Sequence, residues 1–139
     1  DLLLIQQLLA LFGEENFTTL KTLAQLQLAN GKKDLAMKNL EKAMNMPGVA
    51  VIPVHQFGRE LQGMNENALA MQVFQMNAKR FPNQWPVNVG LMRAYAAAGK
   101  NKEALKAARA ALTQAPDDLN RKNLESMIAK LEKGDNAIN

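Results

Sequence analysis

Similar residues recur every 34 positions along this chain, and that recurrence constrains its fold more than any other feature of the sequence. Three series continue without a gap: Leu23, Phe57 and Leu91; Leu40, Phe74 and Ala108; and Ala36, Ala70 and Ala104. A single globular core gives no reason for such a period. A stack of equivalent units does, because each unit presents the same apolar faces to its neighbours. The sequence therefore predicts a repeat protein.

The composition indicates that the repeated unit is helical. Aromatic residues make up only 5% of the 139 residues, and the apolar content is mostly Leu, Ala and Met. These residue types favour helix, whereas strands are rich in β-branched and aromatic residues. The absence of Cys excludes a disulfide framework and a thiolate metal site. It leaves the compartment open between a bacterial cytoplasm and a periplasm or cell envelope.

The helical spacing of apolar residues predicts three helix hairpins and one further helix. The predicted helices span residues 16–30 and 33–46, 53–63 and 66–81, 86–98 and 102–115, and 117–133. Pro82 and Pro116 end two of the second helices, because a proline ring supplies no amide donor and restricts the preceding residue. Gly31, Asn65 and Gly99 fall at the sharp turns between paired helices, and these residue types tolerate left-handed backbone.

Within each 34-residue unit, large, small and turn-forming residues recur at fixed offsets. The third unit has Leu91, Tyr95, Gly99, Ala104, Ala111 and Pro116; the second has Phe57, Gly58, Leu61, Ala70, Phe74 and Pro82; the first has Leu23, Ala24, Gly31, Ala36, Leu40 and Ala43. In these residues the chain resembles the tetratricopeptide repeat family, whose unit is a 34-residue helix-turn-helix. Leu20, Val54 and Asn88 stand where that family has Trp, Met92 where it has a small residue, and Asn77 where it has Ala. More distantly, residues 55–118 resemble the repeat-bearing C-terminal part of bacterial envelope proteins of unassigned function.

The resemblance implies an all-α fold, an α-solenoid of about three such repeats with an N-terminal docking helix and a C-terminal capping helix. We predict a single domain over residues 1–139, with repeats at 16–49, 50–83 and 84–117. Residues 1–15 form the N-terminal helix, residues 118–134 the capping helix and residues 135–139 a tail. Leu124 and Leu131 belong to the one apolar stripe of the predicted capping helix, which suits a helix that faces water on its far side.

An apolar run over residues 2–12 is too short to span a bilayer, which takes about 20 residues. We expect a helix that docks on the stack and no membrane span. An alternative is a structural role, in which this helix pairs copies of the chain into a homo-oligomer or braces a neighbouring part of a larger bacterial protein.

The side chains needed for catalysis are scarce. The chain has one His (His55), one Ser (Ser126) and no Cys, and it lacks a glycine-rich phosphate loop and a carboxylate cluster at metal-ligand spacing. We therefore predict no enzyme activity, no cofactor, no metal and no small-molecule substrate. The eight Met residues favour core packing over an adaptable binding surface, since several of them fall on the same repeating series as Leu and Ala.

The sharper functional signal lies on the first helix of each hairpin, which lines the concave side of such a stack. One series there is Lys21, His55 and Val89, and a second, four residues further on, is Gln25, Arg59 and Arg93. Arg can grip a carboxylate with two parallel hydrogen bonds, and a protonated His would strengthen binding as the pH falls. Together with Gln62, which is uncharged and leaves room for a peptide, these residues predict a peptide-binding face of Lys21, Gln25, His55, Arg59, Gln62 and Arg93.

We predict a protein-protein interaction module whose partner is an acidic peptide or protein segment; the alternative for this face is a solvated polar surface. The family includes members with a carboxylate clamp for chaperone C-termini. Lys21 matches its first Lys, but Gln25 and Gln56 stand in place of Asn, and Pro86 and Gly90 replace its later basic pair, so that clamp is not expected. The net charge of +4 and pI near 9.5 lean towards acidic partners. Nucleic acid is disfavoured, because the basic residues are spread along the chain.

Overall fold

The structure, a computed structural model, describes Leu3 and residues 15–134. Over residues 15–134 it is all-helical, and no strand occurs among the described residues. The helices are α1 (Phe17–Ala29), α2 (Lys33–Met44), α3 (Val51–Gly63), α4 (Asn67–Arg80), α5 (Trp85–Ala97), α6 (Asn101–Gln114) and α7 (Asp118–Glu132). The all-α prediction is confirmed for this part of the chain.

The helix starts repeat with the period of the sequence. The first helices of the hairpins begin at Phe17, Val51 and Trp85, and the second helices begin at Lys33, Asn67 and Asn101. Both series therefore advance by the same step as the recurring side chains. Predicted and observed helix bounds differ by no more than two residues, which is ordinary for helix ends. The fold is therefore helical and repeat-like.

The turn inside each hairpin has the same backbone geometry. Gly31, Asn65 and Gly99 have φ values of 74°, 60° and 74°, which confirms the predicted left-handed turns. In each case the amide that follows closes the helix on a carbonyl five residues earlier: Lys32 N on Gln27 O (2.8 Å), Glu66 N on Leu61 O (2.9 Å) and Lys100 N on Tyr95 O (2.9 Å). Each of these carbonyls also accepts a bond of 3.1 Å from the amide three residues on, so the last turn of each first helix is closed in the same way.

Side chains cap the first and last of these helices. Asn16 Oδ1 accepts a hydrogen bond from Thr19 N (2.9 Å), while Asn16 N donates to Thr19 Oγ1 (3.0 Å), so both amides at the start of α1 are paired. At the start of α7, Asp117 Oδ1 accepts from Asn120 N (2.8 Å). Asp117 is therefore the N-cap of α7.

Two compact units divide the chain, residues 1–50 and residues 51–139. In the first unit, α1 and α2 pack as a hairpin through Leu20 and Leu23 on one helix and Ala36 and Leu40 on the other. Gln27 is buried beside them, and its Oε1 accepts a hydrogen bond from Asn39 Nδ2 (2.8 Å). This amide pair is the polar part of an otherwise apolar hairpin core.

In the second unit, Phe74 lies at the centre of the core formed by α3, α4 and α5. It is fully buried, as are Phe57 and Leu61 of α3. A Cβ atom placed on Gly58 would lie 2.4 Å from its ring, and one placed on Gly90 would lie 2.5 Å from it. The ring therefore requires glycine on both α3 and α5.

Buried amides account for two departures from the repeat pattern. Asn77, at a position occupied by Ala in the other two hairpins, donates from Nδ2 to Val51 O (3.0 Å) at the start of α3. Asn88, where the resembled family has Trp, donates from Nδ2 to Gln114 Oε1 (2.8 Å) and to Asn83 Oδ1 (3.1 Å). Each of these amides thus joins one helix to a neighbouring segment of the second unit.

The last helix, α7, packs against α6 through buried Leu124 and Leu131, while Leu119 near its start is 70% exposed. Among the described residues, no helix is both long and apolar enough to cross a bilayer. The predicted docking helix of residues 2–12 lies outside the described residues apart from Leu3, which is helical and exposed.

Candidate functional site

Helix α3 carries three of the predicted site residues on one side. His55, Arg59 and Gln62 are separated by four and three residues, a spacing that aligns side chains along a helix. Arg59 is exposed, whereas His55 and Gln62 are half-buried. The buried positions Val54, Phe57 and Leu61 hold the other side of α3 in the core, which turns these three polar side chains towards α5.

Helix α5 brings Arg93 to the same place. Gln62 Nε2 donates a hydrogen bond to the backbone carbonyl oxygen of Arg93 (3.1 Å), and this bond links α3 to α5. The guanidinium groups of Arg59 and Arg93 are close enough that each lowers the pKa of His55. The structure thus brings together four predicted site residues: His55, Arg59, Gln62 and Arg93.

His55 is neutral at physiological pH. The pKa of His55 is lowered to about 4, first by burial and then by the charges of Arg59 and Arg93, while a hydrogen bond with the Pro86 backbone opposes the shift. The imidazole centroid lies 5.7 Å from that of Phe74, and Nδ1 is buried without a partner. In the unliganded protein His55 therefore becomes protonated near pH 4, whereas a free histidine becomes protonated near pH 6.5.

The environment of Arg93 disfavours its positive charge. Burial, followed by repulsion from Arg59, lowers its pKa. Its Nε atom is buried and has no hydrogen-bond partner in the structure. Within residues 15–134, no carboxylate lies at ion-pair distance from either Arg59 or Arg93. The described part of the chain therefore leaves these two guanidinium groups unneutralised on a shared surface.

A cavity of about 210 Å³ opens beside these two arginines. Its lining consists of the two cations, two amides and four apolar side chains: Arg59, Arg93, Asn120, Asn123, Trp85, Val89, Leu124 and Met127. We call it the arginine pocket. All of these residues belong to the second unit, and they come from α3, α5 and α7.

The contribution of α7 to this pocket was not predicted. The capping interpretation assigned its apolar stripe to the core and its other residues to solvent. A simple signal was nevertheless present, since adding 34 to Val89 and Arg93 leads to Asn123 and Met127. Both residues line the arginine pocket. The two series that include His55 and Arg59 therefore continue on the last helix.

The two remaining predicted site residues lie on α1, in the first unit. Lys21 and Gln25 are both half-buried and are four residues apart, so they lie on the same side of that helix. Their part in a shared peptide-binding face stays a prediction.

A second cavity of the second unit, about 360 Å³, lies between α5 and α6. Its lining includes Tyr95 and Leu91 of α5 and one residue of each charge, Glu103 and Lys106 of α6. The side chains that line this cavity therefore carry no net charge. The arginine pocket has two cations and no carboxylate in its lining, and it is the candidate site.

Within residues 15–134, no group of three His, Cys, Asp or Glu residues is placed to hold a metal ion. No protein-family model, no curated protein and no solved structure matches this chain.

Proposed function

We propose that this chain is a tetratricopeptide-like α-solenoid module that binds an acidic segment of another protein at the arginine pocket. The solenoid part of the proposal is supported by helix starts that recur with the period of the sequence and by the matching turns at Gly31, Asn65 and Gly99. The binding part is supported by one observation above all. Arg59 and Arg93 face the same pocket, and no carboxylate of the described chain neutralises them.

Two like charges held together destabilise a folded protein unless a ligand offsets the repulsion. A carboxylate from a partner does so, and a guanidinium group can bind it through two parallel hydrogen bonds. No hydrogen bond or ion pair within residues 15–134 engages the guanidinium group of Arg93, so its outer nitrogens are available for such a contact. Because residues 15–134 supply no such carboxylate, the arrangement favours a site whose counter-charge comes from the ligand.

Selection of short random peptides displayed on phage, with the whole chain as bait, tests this function. We expect enrichment of Asp and Glu in the selected peptides. A chain with both Arg59→Ala and Arg93→Ala should bind a selected peptide at least about ten-fold more weakly, and its affinity should depend less on salt.

The matched control is a chain with both Lys100→Ala and Lys102→Ala, which removes the same charge from two exposed side chains outside the arginine pocket. This control should keep the wild-type affinity. The proposal fails if acidic residues are not enriched, or if the double arginine variant binds as tightly as the control.

A further inference from the structure

The arginine pocket has an apolar side as well as a cationic one. Trp85 and Val89 of α5 and Met127 of α7 are partly buried and pack on the core of α5, α6 and α7. The same three side chains line the arginine pocket. Their inner surfaces are thus fixed by the core, while their outer surfaces remain in contact with water next to Arg93.

Partly exposed apolar side chains beside a pair of cations call for a ligand with both properties. Covering the apolar surface is favourable in proportion to the area removed from water, so it adds affinity that the charges alone do not supply. A thioether such as that of Met127 also adapts its shape to different apolar partners. A ligand that is only anionic would leave the apolar side of the arginine pocket exposed to water.

The size of the pocket indicates what part of a ligand it holds. Its volume is about 210 Å³, below the roughly 300–1,000 Å³ of clefts that enclose a small molecule. A pocket of this size suits one or two side chains of a larger ligand. That argues for a protein segment lying across the surface, with one large side chain inserted.

One amide side chain on α7 fits the same occupant. The side chain of Asn123 is exposed and makes no hydrogen bond in the structure, so its amide donor and acceptor are both available at the rim of the pocket. A peptide backbone offers the complementary pair, an acceptor and a donor in each residue. Together the lining presents cations, an apolar surface and an amide within one small volume.

We infer that the partner segment carries an acidic residue next to a large apolar residue, with the carboxylate on Arg59 and Arg93 and the apolar side chain against Trp85, Val89 and Met127. This inference rests on the proposed function, because it specifies the ligand of the same pocket. It assigns α7 a direct part in binding beyond that of a cap.

Three synthetic peptides test the inference, each a labelled Gly-Ser peptide with a central pair of residues: Glu-Leu, Gln-Leu or Glu-Ser. Binding to the whole chain is measured by fluorescence anisotropy. We expect Glu-Leu to bind most tightly, and both Gln-Leu and Glu-Ser to bind about five- to ten-fold more weakly, because each lacks one of the two contacts.

A double variant, Val89→Thr with Met127→Gln, makes the apolar side polar at nearly constant side-chain size. It should lower the affinity for Glu-Leu about five-fold or more but leave that for Glu-Ser unchanged, with the same salt dependence as the wild type. The control is Leu119→Gln, on the same helix but 70% exposed and outside the pocket lining, which should bind like the wild type. Circular dichroism checks that each variant is folded.

The possible failures are distinguishable. If Glu-Ser binds as tightly as Glu-Leu while Gln-Leu binds weakly, the apolar contact is wrong and the proposed acidic binding stands. If Gln-Leu binds as tightly as Glu-Leu, the proposed function is wrong as well. If the Val89 and Met127 variant loses affinity for Glu-Leu and Glu-Ser equally, the apolar side chain of the ligand does not meet these residues, and the inference is overturned.

Discussion

The ring of Phe74 fills the space that a side chain on Gly90 would need. A Cβ atom on Gly90 would lie 2.5 Å from Phe74 Cδ1, closer than real Cβ atoms approach a neighbour. The same ring faces Gly58 on α3 at a corresponding 2.4 Å. Helices α3 and α5 are thus spaced by one aromatic ring of α4, and they carry between them the two cations of the arginine pocket.

Placing a methyl group on either glycine should destabilise the protein. We expect Gly58→Ala and Gly90→Ala each to lower the free energy of unfolding by about 1–3 kcal/mol, because a buried ring must move. Urea denaturation followed by circular dichroism measures this. Gly63→Ala is the control, since its Cβ would meet no atom within 4 Å, and it should be neutral or stabilising by up to about 1 kcal/mol. Wild-type stability of Gly90→Ala would show that the ring does not need the space.

Replacing Arg93 by methionine, the residue at the equivalent position on α7, should stabilise the fold and weaken binding. The change removes a buried Nε without a partner and the repulsion from Arg59. We expect a gain of about 0.5–1.5 kcal/mol in the free energy of unfolding, measured by urea denaturation. Arg59→Met is the comparison: Arg59 is exposed, so its replacement should change stability by less than about 0.5 kcal/mol. A large loss of stability in Arg93→Met would contradict the conclusion that the Arg93 side chain lacks stabilising partners in the folded protein.

The titration of His55 can be followed directly, because it is the only histidine in the chain. We expect its imidazole NMR signal to titrate near the lowered pKa of about 4 rather than near 6.5. A midpoint near 6.5 would mean that the ring is not held in the buried environment described.

Stability should depend on pH for the same reason. The unfolded chain binds a proton on His55 at a higher pH than the folded chain does, so His55 destabilises the fold as the pH falls from about 6.5 to about 4. Relative to His55→Gln, the wild type should lose about 1–3 kcal/mol over that window, allowing for partial solvent screening. If the free energy of unfolding changes with pH in the same way in the wild type and in His55→Gln, the effect assigned to His55 is wrong.

Two asparagines with left-handed backbone should respond differently to glycine. Asn65 and Asn83 have φ values of 60° and 57°. Asn65 is an exposed turn residue with no side-chain hydrogen bond in the structure, so Asn65→Gly should stabilise by about 0.5–1 kcal/mol. Asn83 Oδ1 accepts from Asn88 Nδ2, so Asn83→Gly loses that bond and should show no gain or a loss of about 1 kcal/mol. Thermal unfolding compares the two variants, and equal gains would show that the Asn83 bond contributes nothing.

The sequence was sufficient to predict the helices and their turns, because these depend on local spacing. The turns depend on the backbone conformation of Gly31, Asn65 and Gly99, and two helix ends depend on Pro82 and Pro116. Each of these effects is local to the residue, so the order of residues along the sequence is enough to predict it. Gly90 is different, because its need for glycine comes from the ring of Phe74 on another helix. Such a requirement arises from packing between helices, and it produces no periodic pattern in the sequence.

Part of the candidate site was accessible to the same reasoning. Continuing the series of His55 and Arg59 into the last helix reaches Asn123 and Met127, although the apolar stripe of α7 favoured a cap alone. The neutral state of His55 was not accessible, since burial is its largest cause and depends on the finished fold. The role of Asn77 was hidden too, because its partner is a backbone carbonyl.

The buried amides discourage the hairpins from exchanging helices while the chain folds. Their apolar faces are nearly interchangeable, so a helix could pair with the wrong copy at little cost. The amide partners differ between copies: Gln27 meets Asn39 in its own hairpin but would meet Val73 or Ala107 in another. Pairing α1 with a second helix of another hairpin would leave buried Gln27 without its amide partner, at a cost of roughly 1–3 kcal/mol. Similar units can therefore share one chain and still each find their own partner.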